Sequence, residues 1–143
     1  MEGFLSGFKL APKPLQGVEL VGLQRSVSTQ LPIKPVLVAL TSAKGLTSWL
    51  GETTEFIAHV GIKFETIVEG EKSKAVITTL DLPKRIVFMV EALGEFEFGI
   101  SEKSGQVLVQ INLRRAVAPD LAQAWEKSVE PIFDKLEKIL KNG

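Results

Sequence analysis

Few residues in this chain are equipped for catalysis. His59 is the only imidazole among 143 residues, and the sequence holds no cysteine and no tyrosine. Thiol nucleophiles, zinc thiolate sites and disulfides are therefore excluded, as is the phenol that often polarises a carbonyl. His59 shares its parity with Glu55 and Ile57, opposite Phe56, Ala58 and Val60. That places it on an outer strand face, where a surface histidine is expected in place of a base or a metal ligand. Glu95 and Glu97 have the spacing of two carboxylates on one strand face, which an acid/base pair would use. The same spacing suits two solvated carboxylates paired across strands with Lys63 or Arg114. Asp81, Lys84 and Arg85 flank a tight turn at Pro83. No nucleophile elbow, glycine-rich phosphate loop or metal-ligand spacing is present. The expectation is no catalytic residue, no metal and no cofactor.

A different chemistry is better supplied. Phe56, Phe64, Phe88, Phe96, Phe98, Trp49, Trp125 and Phe133 form a large aromatic set. Two readings fit it: a filled core, or the lining of a pocket for an apolar small molecule. For the pocket, the candidate ligand-binding residues are Phe56, Phe64, Phe88, Val90, Phe98, Trp125, Val129 and Phe133.

The elements that must position these residues are legible from periodicity. In 118–141 the apolar residues Leu121, Trp125, Val129, Ile132, Phe133, Leu136, Ile139 and Leu140 step by threes and fours along one face of a helix. Asp120 with Gln123 suits its start, and Lys138, Lys141 and Gly143 suit its end. Pro131 removes one backbone donor in its middle and is expected to bend it. Upstream, seven segments read as strands: 18–29, 53–60, 62–69, 73–82, 85–92, 95–102 and 106–114, most of them separated by turn residues. Two short helices fall after the first, at 36–41 and after Ser42. The predicted class is α+β, a curved antiparallel sheet of about seven strands gripping the terminal helix. Ile57, Ile77, Val87, Met89 and Leu108 are expected to line an apolar strip on its outer face, which invites a homodimer.

Composition narrows the function classes. Seventeen basic and seventeen acidic residues give zero net charge, unlike a nucleic-acid binder. No apolar run approaches the roughly 18 residues of a membrane span. The first residues lack the pattern of a signal peptide, so the expected address is cytoplasmic. Residues 1–17 hold Gly3, Gly7, Pro12, Pro14 and Gly17 but also Phe4, Leu5, Phe8, Leu10 and Leu15. They read as a tail, docked or free, ahead of one domain over 18–143.

Three stretches carry a resemblance. PIKPVLVALTSAKGLTSWL over 32–50 resembles the A-P-x-x-x-V-W-x-A-L-T-x-P-x-x-L-x-x-W segment of the activator of heat-shock protein 90 ATPase homologue family. Val60-Gly61-Ile62-Lys63-Phe64 is similar to that family's V-G-G-x-F step, and Asp81 to Phe88 (DLPKRIVF) to its D-P-P-K-R-L-V-Y/F turn and strand. Trp125 fits its terminal helix. Leu37 and Ile62 depart from the pattern, and residues 1–17 have no counterpart in it. The resemblance implies a START-like (SRPBCC) helix-grip fold with a cavity between sheet and last helix. It names no catalytic motif to carry over. The leading expectation is a non-enzymatic START-like domain binding an apolar small molecule under the last helix. The alternatives are a chaperone-linked interaction module, which the resemblance implies, and a cyclase or hydrolase acting on an apolar substrate.

Overall fold

The fold was obtained as a computed structural model, and it describes residues 18–142. The elements follow in the order β1 (Glu19–Thr29), α1 (Ile33–Thr41), α2 (Ala43–Trp49), β2 (Lys63–Val68), β3 (Glu71–Asp81), β4 (Arg85–Val90), β5 (Gly94–Lys103), β6 (Gln106–Val117) and, after a 3-10 turn at Pro119–Leu121, α3 (Ala122–Asn142). One antiparallel sheet in the order β1-β6-β5-β4-β3-β2 wraps its inner face around α3. The expected α+β helix-grip architecture is therefore the one observed. No described helix is long and apolar enough to cross a membrane.

Short connections make the meander. Glu69-Gly70 and Ser104-Gly105 both adopt positive φ (51° and 81°, 54° and 79°), the geometry of a two-residue hairpin turn matched to strand twist. Gly94 opens β5 at φ 123°, where a side chain would strike the Arg114 carbonyl of the neighbouring strand. The helical pair α1–α2 turns at Ser42, whose hydroxyl accepts from the Gly45 amide at 2.9 Å and caps α2. A Cβ at Gly45 would collide with the Val38 carbonyl, so glycine is what lets the two helices cross this closely.

Along α3, Trp125, Val129, Phe133, Leu136 and Leu140 are buried, while Glu126, Glu130 and Lys138 are exposed. At about 1.5 Å per residue, its 21 residues span about 31 Å and cross the whole sheet. Leu121 departs from the expected stripe: it lies in the 3-10 turn, 55% exposed. Asp120 lies in that turn as well, ahead of the helix it was expected to cap.

Two strand expectations change. Segment 53–60 makes only a single bridge, Thr53 to Thr66, so the sheet has six strands. Its alternation is sound, but β2 offers just six residues and the chain must turn at Gly61 to enter it. There the Gly61 amide donates to the Ile77 carbonyl of β3 at 2.8 Å, extending the β2–β3 side, while on the other edge of β2 the segment pairs only at its start, beside the Ile67 amide that donates to the Glu52 carbonyl at 3.0 Å. Ala58, His59 and Val60 consequently stay exposed. The second change is a bulge in β3 between Ile77 and Thr79, which places an extra residue, Thr78, in the strand. Ser73, Ala75 and Ile77 face inward before it and Leu80 after it. Ile77 is thus buried in the core at 1% exposure, not part of an outer strip. Val87, also expected there, is 4% exposed; of the five, Ile57 and Met89 are well exposed.

Candidate functional site

The inner faces of β4 and β5 deliver Phe88, Phe96 and Phe98 to one place, and α2 lowers Trp49 onto them. Phe88 lies 5.3 Å from Phe96 and 5.6 Å from Phe98 between ring centroids. Trp49 sits edge-on to both, at 5.8 Å. Phe64 meets Phe88 at 5.9 Å and Phe56 at 4.9 Å, both edge-to-face. Phe133 of α3 closes the chain of rings at 6.4 Å from Phe96. These separations fall within the 4.5–7 Å of interacting aromatic pairs. Seven rings thus form one continuous cluster across the interior.

The structure brings most of the candidate residues together in this cluster. Phe64, Phe88, Val90, Phe98, Val129 and Phe133 are buried in the shared core, and Phe56 is half-buried at its margin. Trp125 sits apart from the rings, its Nε1 donating to the Leu93 carbonyl at 2.8 Å. Phe96 and Trp49, not among the candidate ligand-binding residues, occupy the centre of the cluster; even parity with Phe98 already marked Phe96. Arg25 was also missed, although it alternates with Leu23 and Val27 on the inner face. Its guanidinium lies 5.4 Å from the Phe133 ring centroid and pairs with Asp134 at 2.7 Å and Glu137 at 3.4 Å.

Beside Trp125 the interior opens. A groove of about 390 Å³ runs between the first turns of α3 and the rim of the sheet. Leu93, Val117, Leu121, Ala124 and Trp125 provide its apolar wall, with Glu69, Arg115 and Ser128 at the edge. Among the described residues the buried polar side chains are Thr29, Thr53, Thr66 and Ser73, all hydroxyls, and no buried side-chain nitrogen or oxygen lacks a partner.

The residues first considered for catalysis lie elsewhere. His59 is exposed, its Nδ1 3.0 Å from the Val60 carbonyl oxygen. Glu95 and Glu97 stand on the outer face in an ion-pair ladder: Arg114 reaches Glu95 at 2.6 Å and Glu97 at 3.4 Å, and Arg85 reaches Glu97 at 2.7 Å. Arg114 was the expected partner; Arg85 takes the place expected of Lys63, because β4 and not β2 neighbours β5.

No family model and no curated protein matches the chain. Solved structures do. A Bacillus halodurans protein of 16% identity superposes with a TM-score of 0.69, over 85% of this chain and 97% of that one. The Aha1 dimer from Colwellia psychrerythraea is 17% identical, with a TM-score of 0.63 over 86% of this chain and 98% of that one. DynU16, from the dynemicin biosynthetic locus, is 15% identical at TM-score 0.62; the match covers 85% of this chain and 48% of DynU16. At such identities the likeness is one of fold.

Proposed function

We propose that this chain is a non-catalytic START-like module that takes a small apolar molecule in the groove beside Trp125. The observation that carries this reading is the groove itself: about 390 Å³, walled by Leu93, Val117, Leu121, Ala124 and Trp125, at the end of an otherwise ring-filled interior. Its size lies at the lower end of small-molecule sites. The groove's ionisable groups, Glu69 and Arg115, stand at its edge, and the buried polar side chains among the described residues are hydroxyls, so no buried acid or base is at hand for the cyclase or hydrolase alternative. Burial holds the ligand: about 200 Å² of apolar surface at ~25 cal/mol per Å² gives ~5 kcal/mol, or sub-millimolar affinity. Of the candidate residues Trp125 alone lines the groove, and Phe64, Phe88, Phe98, Val129 and Phe133 belong to the packed core. Binding of an uncharged ligand depends little on salt, because burial and not an ion pair holds it.

The test is titration with fatty acids and polycyclic aromatics, read by the fluorescence change of Trp125, with Trp125→Phe separating its signal from that of Trp49. Ala124→Trp, an exposed substitution, fills the groove and abolishes binding while the melting profile stays unchanged. A panel without a single binder, or binding indifferent to Ala124→Trp, overturns the proposal.

A second reading is an interaction module serving a second copy or a chaperone. The Aha1 dimer among the similar structures supports it through fold, and the exposure of Leu20 (74%) and Met89 (40%) supplies apolar surface. Concentration-dependent sedimentation of the full chain distinguishes it from a monomeric ligand carrier.

A further inference from the structure

The sheet ends in two unlike strands, β1 and β2. β2 is six residues long, carries Lys63 and Glu65, and is met on its outer edge by the Thr53 bridge. β1 is eleven residues long and pairs with β6 in unbroken register from Glu19 to Thr29. Among the described residues no other backbone hydrogen bond reaches 19–29. Every second residue of such a strand turns its N–H and C=O away from its neighbour, so β1 presents a row of these groups along an open edge. Proline, lysine or a bulge commonly blunts an edge of this kind. β1 has none of the three.

The outer face of β1 carries a knob and a hollow side by side. Leu20 is 74% exposed, more than any other large apolar residue described. Two residues on, Gly22 has no side chain, and a hollow of about 560 Å³ lies there, bordered by Leu20, Gln24, Glu97, Asn112 and Arg114. We propose that two copies of this chain join edge to edge through β1, antiparallel about a two-fold axis at Val21, each Leu20 seated in the other's hollow at Gly22. A second copy is the fitting occupant because one strand holds the open backbone row, the knob and the hollow, so two identical edges complete each other. The fit selects the register. An axis at Val21 sets Leu20 directly opposite Gly22, where side chains across strands touch. An axis at Gly22, Leu23 or Gln24 would set Leu20 opposite Gln24, Ser26 or Ser28 instead. With the axis at Val21, Glu19 faces Leu23 and Val18 faces Gln24, so no like charges meet. The two sheets then continue into one. This deepens the interaction-module reading above and needs nothing of the groove beside Trp125.

The experiment uses the full chain. Sedimentation from micromolar to millimolar protein is expected to show a dimer. Leu20→Gly removes the knob and Gly22→Leu fills the hollow, and each is expected to raise the dissociation constant at least about tenfold. The double exchange, Leu20→Gly with Gly22→Leu, restores it, because knob and hollow trade places across the same axis. A Cβ at Gly22 comes within 3.3 Å of the Leu113 carbonyl, so melting profiles accompany these variants, and where Gly22→Leu unfolds a distance decides. Because the sequence has no cysteine, a nitroxide on the exposed Ser26→Cys is the only spin label of each copy. With the axis at Val21 the two labels stand about 33 Å apart at ~3.3 Å of rise per residue. An axis at Gln24 brings them to about 14 Å by the same rise. A chain that stays monomeric overturns this proposal together with self-association as a whole. A dimer with its labels far from 33 Å, or a double variant that melts like the wild type without regaining its affinity, overturns the β1 register and leaves self-association standing.

Discussion

Truncating Phe88 to alanine distinguishes a filled interior from a pocket. Phe88 is 0% exposed, with ring centroids of Phe64, Phe96 and Phe98 at 5.9, 5.3 and 5.6 Å. Removing a ring so enclosed forfeits its burial, about 2–3 kcal/mol. It also leaves a void on the order of 80 Å³, which at ~24 cal/mol per Å³ adds about 2 kcal/mol. The two terms sum to about 4–5 kcal/mol, the upper part of the usual range for such truncations. With a urea slope near 2 kcal/mol per molar, the midpoint should fall by about 2 M. Met89→Ala, on the opposite face of the same strand and 40% exposed, is the control and should move it by less than about 0.5 M. A ring that bordered empty space would have lost those contacts already, and its truncation would cost far less. A shift for Phe88→Ala no larger than that of Met89→Ala would therefore refute the packed-core reading and restore the interior as a cavity.

Further outcomes are expected. Arg25→Ala should cost about 1 kcal/mol and speed amide exchange in the second half of α3, since Arg25 ties that half to β1 through Asp134 and Glu137. Salt should remove only part of this cost, because the stacking on Phe133 survives screening of the partly exposed ion pairs. Gly45→Ala should destabilise by more than about 2 kcal/mol, as judged by thermal melts, although alanine favours a helix by ~1 kcal/mol. The reason is the collision with the Val38 carbonyl, and a neutral or stabilising result would mean that α1 and α2 do not cross so closely. Trp125→Phe should cost about 1–2 kcal/mol in urea by leaving the Leu93 carbonyl without its donor.

Much of this protein was legible without coordinates. The three-and-four spacing of Trp125, Val129, Phe133, Leu136 and Leu140 specifies a one-sided helix, because burying one stripe is the way an α-helix of that pattern escapes water. Glu69-Gly70 and Ser104-Gly105 announce hairpins, because few residues other than glycine accept positive φ at low cost. Sheet and helix then combine as an α+β helix-grip. Tertiary structure decided what periodicity does not encode. Alternation in 53–60 shows which side chains share a side, but a strand also needs a partner ladder, and this segment makes one bridge to β2 before its path leaves the edge. The bulge at Thr78 reverses the facing of the later residues of β3, and an inserted residue leaves no mark on composition. The same phenylalanines suit a wall or a filling. Which they become depends on the separation of sheet and helix, here small enough for Phe96 to reach Phe133 and for the remaining opening to lie beside Trp125. That separation is a property of all the packed elements together, so no single stretch of sequence carries it.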